Sequence, residues 1–572
     1  MFERLPERHP IVWAYLFFLF FSLPYQVAIY ATGMSGTVGI RQALIMSALW
    51  LIPVVLMPSK VKAITLLIGI VLWAAGLVAV GYFLVYGQDF SQSVIFIVFE
   101  SNFSEGAEFI QSYLTPGYLV VFGLFTVVPV WMWRRMQPAV LTIPSRIRYC
   151  IFLAVLVSWP FTGYLLKGHS LEDARYHQVV RMEPAAPWNL AFGYVKYRQQ
   201  LTTMNELLAS NHALEPLKDL RETRPDIPKT FVLVIGESTN SSRMGIYGYS
   251  RDTTPRLNAL NDELLVFSDV ITARPYTIEA LQQVLSFADQ KDPERFFTEP
   301  TLINVMQQAG YEVTWITNQQ TQTKRNTMLT TLSQMADRQV YLNNNRAQNA
   351  EAHDGAVLQP FAEALKSSTA KKMIVVHLLG THRKYNYRYP EEFEHFAGTE
   401  HMPDWLDSTQ ADEYNSYDNA VRYNDFVIAE IIRLLKNVGE PAVMAYLSDH
   451  GEEVYDTARN PFSGRNEEAP SPAMYTVPLI LWKNTRYDRE LNTAALNWPK
   501  YANRPFQTSD FIYLWFDLVG LSFSGLDNTR SVLSERFVAS PRLIGNPYGG
   551  RPLLNYDAHF PGSGRLHASA SP

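Results

Sequence analysis

The apolar positions of this chain fall into two regimes. Up to Leu166 they form long runs with few charges; beyond Lys229 they form short β-branched runs broken by Gly, Ser and acidic residues. Runs of the first kind are long enough to cross a bilayer. Five spans are predicted, over about 11–31, 43–57, 63–86, 117–133 and 149–166. A cleaved signal peptide is the rival reading of the first, but no small-x-small cleavage site follows and further apolar runs do. Runs of the second kind read as strands: Phe231–Ile235, Val313–Ile316, Met373–Leu379, Ala442–Leu447 and Val477–Trp482. Helical patterns intervene at Thr277–Phe287, Leu302–Gln308 and Tyr414–Leu435. That alternation predicts an α/β domain with a mostly parallel central sheet covered on both faces.

Charge then orients the spans. Arg4 and Arg8 precede the first, Lys60 and Lys62 separate the second from the third, and Arg134, Arg135, Arg146 and Arg148 separate the fourth from the fifth. The loop from Gln88 to Thr115 has neither Lys nor Arg. The positive-inside rule places the basic loops in the cytoplasm. Five spans then carry everything after Leu166 to the other side. Residues 1–167 are thus expected to form a five-helix transmembrane domain, and 229–560 an extracytoplasmic domain. Residues 168–228, with Trp188, Phe192, Tyr194 and Tyr197 among breaks at Pro184, Pro187, Pro225 and Pro228, read as a bridging arm, helical over Gln199–Leu208. Residues 561–572 read as a flexible tail. Val94–Phe99, followed by Glu100, Ser101, Asn102, Ser104 and Glu105, is either an interfacial amphipathic segment or a short packing helix.

At 572 residues the chain is too long for one core. A net charge of −5 with no basic excess argues against nucleic acid as a partner. The single cysteine, Cys150, rules out an intrachain disulfide.

The chemistry gathers at strand ends. The run Phe231-Val-Leu-Val-Ile-Gly236 delivers Glu237, and Ala442–Ser448 delivers Asp449-His450-Gly451-Glu452. In open α/β sheets such carboxyl ends hold the ligand. Carboxylate and imidazole are ordinary zinc donors, although Asp-His-Gly alone also describes a turn. In Ala273-Arg-Pro-Tyr-Thr277, the threonine opens an amphipathic helix. It reads as a helix N-cap, or as a metal-activated nucleophile where the helix N-terminus also favours a phosphate. His377 ends a strand and His382 follows in the next loop; each lines the same edge or is a polar loop or core residue. The aromatic-basic run Arg383–Pro390 grips an anionic acceptor or forms a surface loop.

Together, the five spans, the arm, Gly236-Glu-Ser-Thr239, Thr277 and Ser448-Asp-His-Gly-Glu452 resemble the bacterial phosphoethanolamine transferases. The soluble domain of that family is sulfatase-like, within the alkaline phosphatase superfamily. Arg243–Pro255, Ala273–Glu279 and Met182–Trp188 most resemble the branch that modifies a heptose of the lipopolysaccharide core. The resemblance implies a zinc ion held by Glu237, Thr277, Asp449 and His450, with Thr277 as nucleophile. It implies His377 and His382 around the phosphoryl group or a second zinc, and Ser101 and Glu105 at the donor headgroup. It further implies phosphatidylethanolamine as donor, lipopolysaccharide as acceptor, and a place in the bacterial inner membrane with the catalytic domain in the periplasm. On this reading His382 transfers a proton and His377 stabilises phosphoryl charge.

Three departures accompany the resemblance. Asp456–Arg465 lacks the family's further histidine, which leaves a second zinc short of a ligand. Ile97 stands where lipid A-modifying relatives have asparagine, and the disulfides of those relatives are absent. The rival readings are a lipoteichoic-acid-synthase-like glycerophosphate transferase using phosphatidylglycerol and manganese, and a non-catalytic membrane sensor of the same fold. The Cys/Ser-x-Pro-x-Arg signature of a sulfatase is missing.

Overall fold

The computed structural model describes residues 5–31, 37–86, 115–188, 190–195, 198–199, 202, 215–319, 328–343, 353–458, 461–467, 469–491, 498–548 and 551–563. Ser101 and Glu105, the segment 94–99, most of the expected helix at 199–208 and most of the tail lie outside the described residues. The chain divides into two compact units, the first ending at Gln200.

The first unit is helical. Helices α1 (Pro10–Phe20) and α2 (Leu23–Ala31) are bent by 47° against each other. Pro24 explains the bend: in the first turn of α2 it has no N–H, and its ring excludes the carbonyl four residues back. The amides of Phe21 and Ser22 turn back to Phe18 and Leu19 instead. Helices α3 (Val38–Ser47) and α4 (Leu51–Leu56) continue through a tight turn at Ala48–Trp50. Then come α5 (Val61–Tyr86), α6 (Pro116–Arg134) and α7 (Ile143–Leu166). Among the described residues, four helices are long and apolar enough to cross a membrane, or five if the bent pair is one span. The helix of the last span starts at Ile143 rather than near residue 149. Hydropathy marks where a helix becomes apolar, and α7 begins earlier, through Arg146 and Arg148.

Apolar packing holds this unit together. Phe17, Phe21 and Phe125 lie edge to face. Gly69 and Gly76 on α5 admit them, because a Cβ at either position would come within 2.6 Å of a phenylalanine ring. The basic loops meet: Ala139 donates to the Pro58 carbonyl (2.9 Å) and Arg146 to that of Leu56 (3.4 Å). Lys62 and Arg135 lie over Trp133 and Trp131. Helix α8 (Leu171–Met182) is capped by Ser170 and returns to α7, where Gln178 bonds both the Phe161 amide and the Val157 carbonyl. Trp188 stacks on Trp50.

The second unit is built on a seven-stranded sheet. Its strands are β1 (Lys229–Gly236), β2 (Leu264–Val266), β3 (Glu312–Thr317), β4 (Arg338–Tyr341), β5 (Lys371–His377), β6 (Ala442–Ser448) and β7 (Leu479–Lys483). They lie in the order β2-β7-β6-β1-β5-β3-β4. Strands β6, β1, β5, β3 and β4 are parallel, while β7 runs antiparallel to β6 and β2. The short strands β2 and β4 are additions to the five expected from the sequence. Both are too brief, and β4 too polar, to stand out as apolar runs. The inner strands are buried end to end, which is why they read as continuous rather than alternating apolar runs.

Candidate active site

Register alone brings the site together. Along β1, Ile235 pairs with His377 on β5, and Gly236 with Ser448 on β6. The three parallel strands therefore end together, and the next residues on each emerge at one edge: Glu237, the loop through His382, and Asp449-His450. The chain places β5 on one side of β1 and β6 on the other, and such a reversal of strand order makes this edge a ligand crevice.

Tight packing fixes the backbone here. Gly380 has φ of 58°, and a Cβ on it would lie 2.6 Å from the Glu237 carbonyl oxygen. That carbonyl accepts from the Thr381 amide (2.9 Å) and hydroxyl (3.0 Å). The buried carboxylate of Asp354 takes the amides of Leu379 (2.9 Å) and Gly380 (2.7 Å), locking the loop that carries His382. A Cβ at Gly451 would sit 2.1 Å from the Ala473 carbonyl oxygen. Asp449-His450-Gly451 is thus a close-packed turn as well as a pair of donor groups.

Glu237, Asp449 and His450 are buried, and one donor atom from each lies within 4.8 Å of the others. His450 Nε2 is 3.2 Å from Glu237 Oε1 and 3.3 Å from Asp449 Oδ2. His450 Nδ1 is 2.9 Å from the Gly451 carbonyl. An Nδ1–H donated there leaves the Nε2 lone pair facing the two carboxylates, the tautomer of a metal ligand. Asp449 Oδ1 accepts from the amides of Ser238 (3.1 Å) and His450 (2.7 Å), while Oδ2 is buried without a hydrogen bond among the described residues. Lone pairs facing one another in a buried space, with a carboxylate oxygen left over, fit a divalent metal ion.

Thr277 is the first residue of α9 (Thr277–Val284); the cap position belongs to Tyr276. The Thr277 hydroxyl does not cap the helix. It donates to Glu237 Oε2 (3.0 Å) and lies 3.3 Å from His450 Nε2. Ser238 Oγ holds Glu237 Oε1 (2.8 Å), and Gln319 Nε2 reaches Oε2 (3.3 Å).

Electrostatics mark the same spot. Burial and the adjacent Glu237 charge push Asp449 up to about 7. Burial acts in the same direction on Glu237, yet His450 beside it, when protonated with no ion on its Nε2, holds that carboxyl well below the usual range. Burial drives His377 down to about 4 and His382 to about 3, so both are neutral at pH 7. The charge of Glu237 opposes that lowering at both, while Arg388, Arg465 and His450 add to it at His382. Nε2 of His377 and Nδ1 of His382 are buried without hydrogen-bond partners among the described residues.

The structure thus gathers Glu237, Thr277, Asp449 and His450 at one point and sets His382 in their field. It also adds residues to which the sequence analysis assigned no role. Arg465 lies 2.5 Å from His450 Nε2. Two residues on, Glu467 pairs with Arg274 (2.5 Å), three residues before Thr277. Asp354 and Gln319 arrive from other loops. Only one clue to these lay in the sequence: the strand ends gather acidic groups, and no cation had been assigned to face them.

The soluble unit is sulfatase-like: the sulfatase family model matches residues 229–521. The chain is 46% identical to the phosphoethanolamine transferase EptC of Escherichia coli (strain K12) over 553 residues, 95% of each chain. The zinc complex of the C-terminal periplasmic domain of EptC from Escherichia coli matches with a TM-score of 0.60 at 46% identity, covering 62% of this chain and 99% of that one. The integral membrane lipooligosaccharide phosphoethanolamine transferase A of Neisseria meningitidis shares the fold over 91% of this chain and 98% of its own, with a TM-score of 0.65 at 20% identity. This chain belongs to the phosphoethanolamine transferase family.

Proposed function

We propose that this protein transfers phosphoethanolamine from phosphatidylethanolamine to lipopolysaccharide, with a core heptose as acceptor, and that Thr277 carries the group in between. One observation carries the reading. The Thr277 hydroxyl points away from its helix into a buried Glu237–Asp449–His450 cluster, 3.0 Å from Glu237 and 3.3 Å from His450. The names of the relatives supply the transferred group, and Arg243–Pro255 and Met182–Trp188 support the heptose branch.

Zinc is the proposed cofactor, held by Glu237, Asp449, His450 and Thr277; when bound it acts as a Lewis acid that favours the threonine alkoxide and polarises a phosphoryl oxygen. The chain's own residues position the reactants. Ser238 and Gln319 fix the two oxygens of Glu237, which in turn orients the Thr277 hydroxyl. The N-terminus of α9 presents amides and a positive dipole end to the phosphoryl oxygens.

In the first half-reaction the Thr277 Oγ–P bond forms and the bond from phosphorus to the diacylglycerol oxygen breaks; the threonine proton leaves with diacylglycerol. In the second, a sugar oxygen attacks phosphorus, the Thr277 Oγ–P bond breaks, and the sugar proton returns to Thr277. His382 is the proposed relay for that proton, taking it from the incoming hydroxyl and passing it on to Thr277. His377 suits donation of an N–H to phosphoryl oxygen. Ser101 and Glu105 are proposed to contact the donor headgroup on the resemblance alone. Apolar helices and two meeting basic loops support an inner-membrane protein with its catalytic domain in the periplasm.

Product analysis tests the reaction. The purified protein with phosphatidylethanolamine and lipopolysaccharide should yield lipopolysaccharide heavier by one phosphoethanolamine, located on a core heptose by fragmentation. A glycerophosphate adduct formed from phosphatidylglycerol would overturn the reading.

A further inference from the structure

Arg465 is the one cation that touches the metal-fitting cluster, among the described residues. It follows Gly464 in a two-residue strand whose partner is Glu453–Val454. The segment is pinned on both sides of the arginine. The Ser463 carbonyl accepts from Arg383 (2.9 Å), and Glu467 pairs with Arg274. The Arg465 side chain is therefore delivered by a fixed backbone. Its Nη1 lies 2.5 Å from His450 Nε2 and 3.8 Å from Glu237 Oε1; its Nε lies 3.6 Å from Glu452 Oε2. The side chain is 17% exposed, so it is buried among these acceptors yet keeps an edge open.

Two consequences follow from valence and charge. Nε2 of a neutral histidine has one lone pair, so it cannot accept from Arg465 and ligate a metal ion at once. Guanidinium stays charged at any pH of interest, and its planar fork matches two oxygens of a phosphoryl group. An ion that takes the Nε2 lone pair therefore frees Arg465 Nη1 beside a group, His450, that the Thr277 hydroxyl also contacts. Glu452 and the pinned backbone keep the guanidinium there.

We propose that Arg465 is the phosphoryl-binding residue of this site: it yields His450 to the metal and then donates to the oxygens of the group being transferred to and from Thr277. This rests on the function proposed above. The positive charge lost from His450 is reused on the substrate, where negative charge develops in the transition state. Arg465 thus opposes metal binding while favouring transfer.

That opposition gives the test. In the full-length protein in detergent, zinc affinity is measured by competition with a chromogenic chelator, and phosphoethanolamine on Thr277 by intact mass after a single turnover with phosphatidylethanolamine. Arg465→Met should bind zinc as tightly as the unaltered protein or more so, while its adduct forms more slowly, by on the order of 100-fold. Arg465→Lys, which keeps the charge and loses the fork, should fall between the two in adduct formation and guards against misfolding of the first variant. Parallel loss of zinc affinity and adduct in both variants would mean that Arg465 only shapes the site. Adduct formation at the original rate would remove it from the reaction. Failure of the unaltered protein to form any adduct would count against the Thr277 intermediate, whereas the zinc arm still reads the competition at His450.

Discussion

The two units of this chain spend their buried interiors in opposite ways. The helical unit buries Phe17, Phe21, Phe125 and their neighbours, with side-chain hydrogen bonds such as Trp13 to the Met132 carbonyl and Trp73 to Thr126 tying helices together. The soluble unit has an apolar sheet too, yet at one edge it buries Glu237, Asp449, His450 and Glu452 within reach of a single arginine. Desolvating those charges is unfavourable on its own account. The first interior serves assembly, while the second gives up stability at one point to gather charged groups in an arrangement that fits a metal ion. Substitutions should therefore separate: removing a buried charge at the sheet edge should remove function with little loss of fold, and overpacking the helical unit should do the reverse.

The largest expected effect is at Asp449. Asp449→Asn keeps an oxygen for the amides of Ser238 and His450 but removes a buried negative charge. Zinc affinity should fall by at least ~100-fold, while thermal unfolding without zinc should come no earlier than in the unaltered protein. A large drop in unfolding temperature would break the contrast between the units.

Gly380→Ala comes next. It forces a side chain onto a left-handed backbone and against the Glu237 backbone. The expected cost is about 2–3 kcal/mol by denaturant unfolding, together with loss of transferase activity, because the clash displaces Glu237 itself. In the helical unit, Gly76→Val should destabilise by about 1–3 kcal/mol through overpacking against Phe125. Zinc affinity of that variant should be unchanged; a shared loss would show that the units depend on each other energetically.

The smallest effect, taken per histidine and per pH unit, is a pH dependence. His377 and His382 have folded values lowered to about 4 and about 3, below that of an unfolded histidine. Their contribution to stability is therefore complete above about pH 6.5 and is lost as pH falls toward the folded values, at about 1.4 kcal/mol per pH unit for each histidine that must stay neutral. Buried carboxyls raised to about 7, Asp425 and Asp449 among them, act with the opposite sign between pH 6.5 and 4.5, so the readout is the difference between the unaltered protein and His377→Gln, which should lack one histidine's share of the slope. A slope unchanged by that substitution would place its origin elsewhere.

Much of this was legible in the chain because the elements are strongly patterned. Fully buried parallel strands announce themselves as β-branched runs, and a carboxylate directly after such a run marks the ligand edge, as at Glu237 and Asp449. The apolar spans were equally plain, although the bend at Pro24 and the early start of α7 were not, since hydropathy is silent on helix geometry. Arg465, Gln319 and Asp354 escaped notice for a different reason. Each reaches the site from a loop with no periodic signal, and its partners lie far away in sequence; the tertiary fold alone makes them neighbours. Thr277 fell between these cases: its place at a helix start was visible, but only the turn of its hydroxyl toward Glu237 and His450 separates a nucleophile from a cap.

The central claim is that Thr277 carries the transferred group. The most direct measurement is the intact mass of the full-length protein and of Thr277→Ala, each incubated with phosphatidylethanolamine and no acceptor. One added phosphoethanolamine is expected on the unaltered protein, mapped to Thr277, and none on the variant. An equal adduct on both would contradict it.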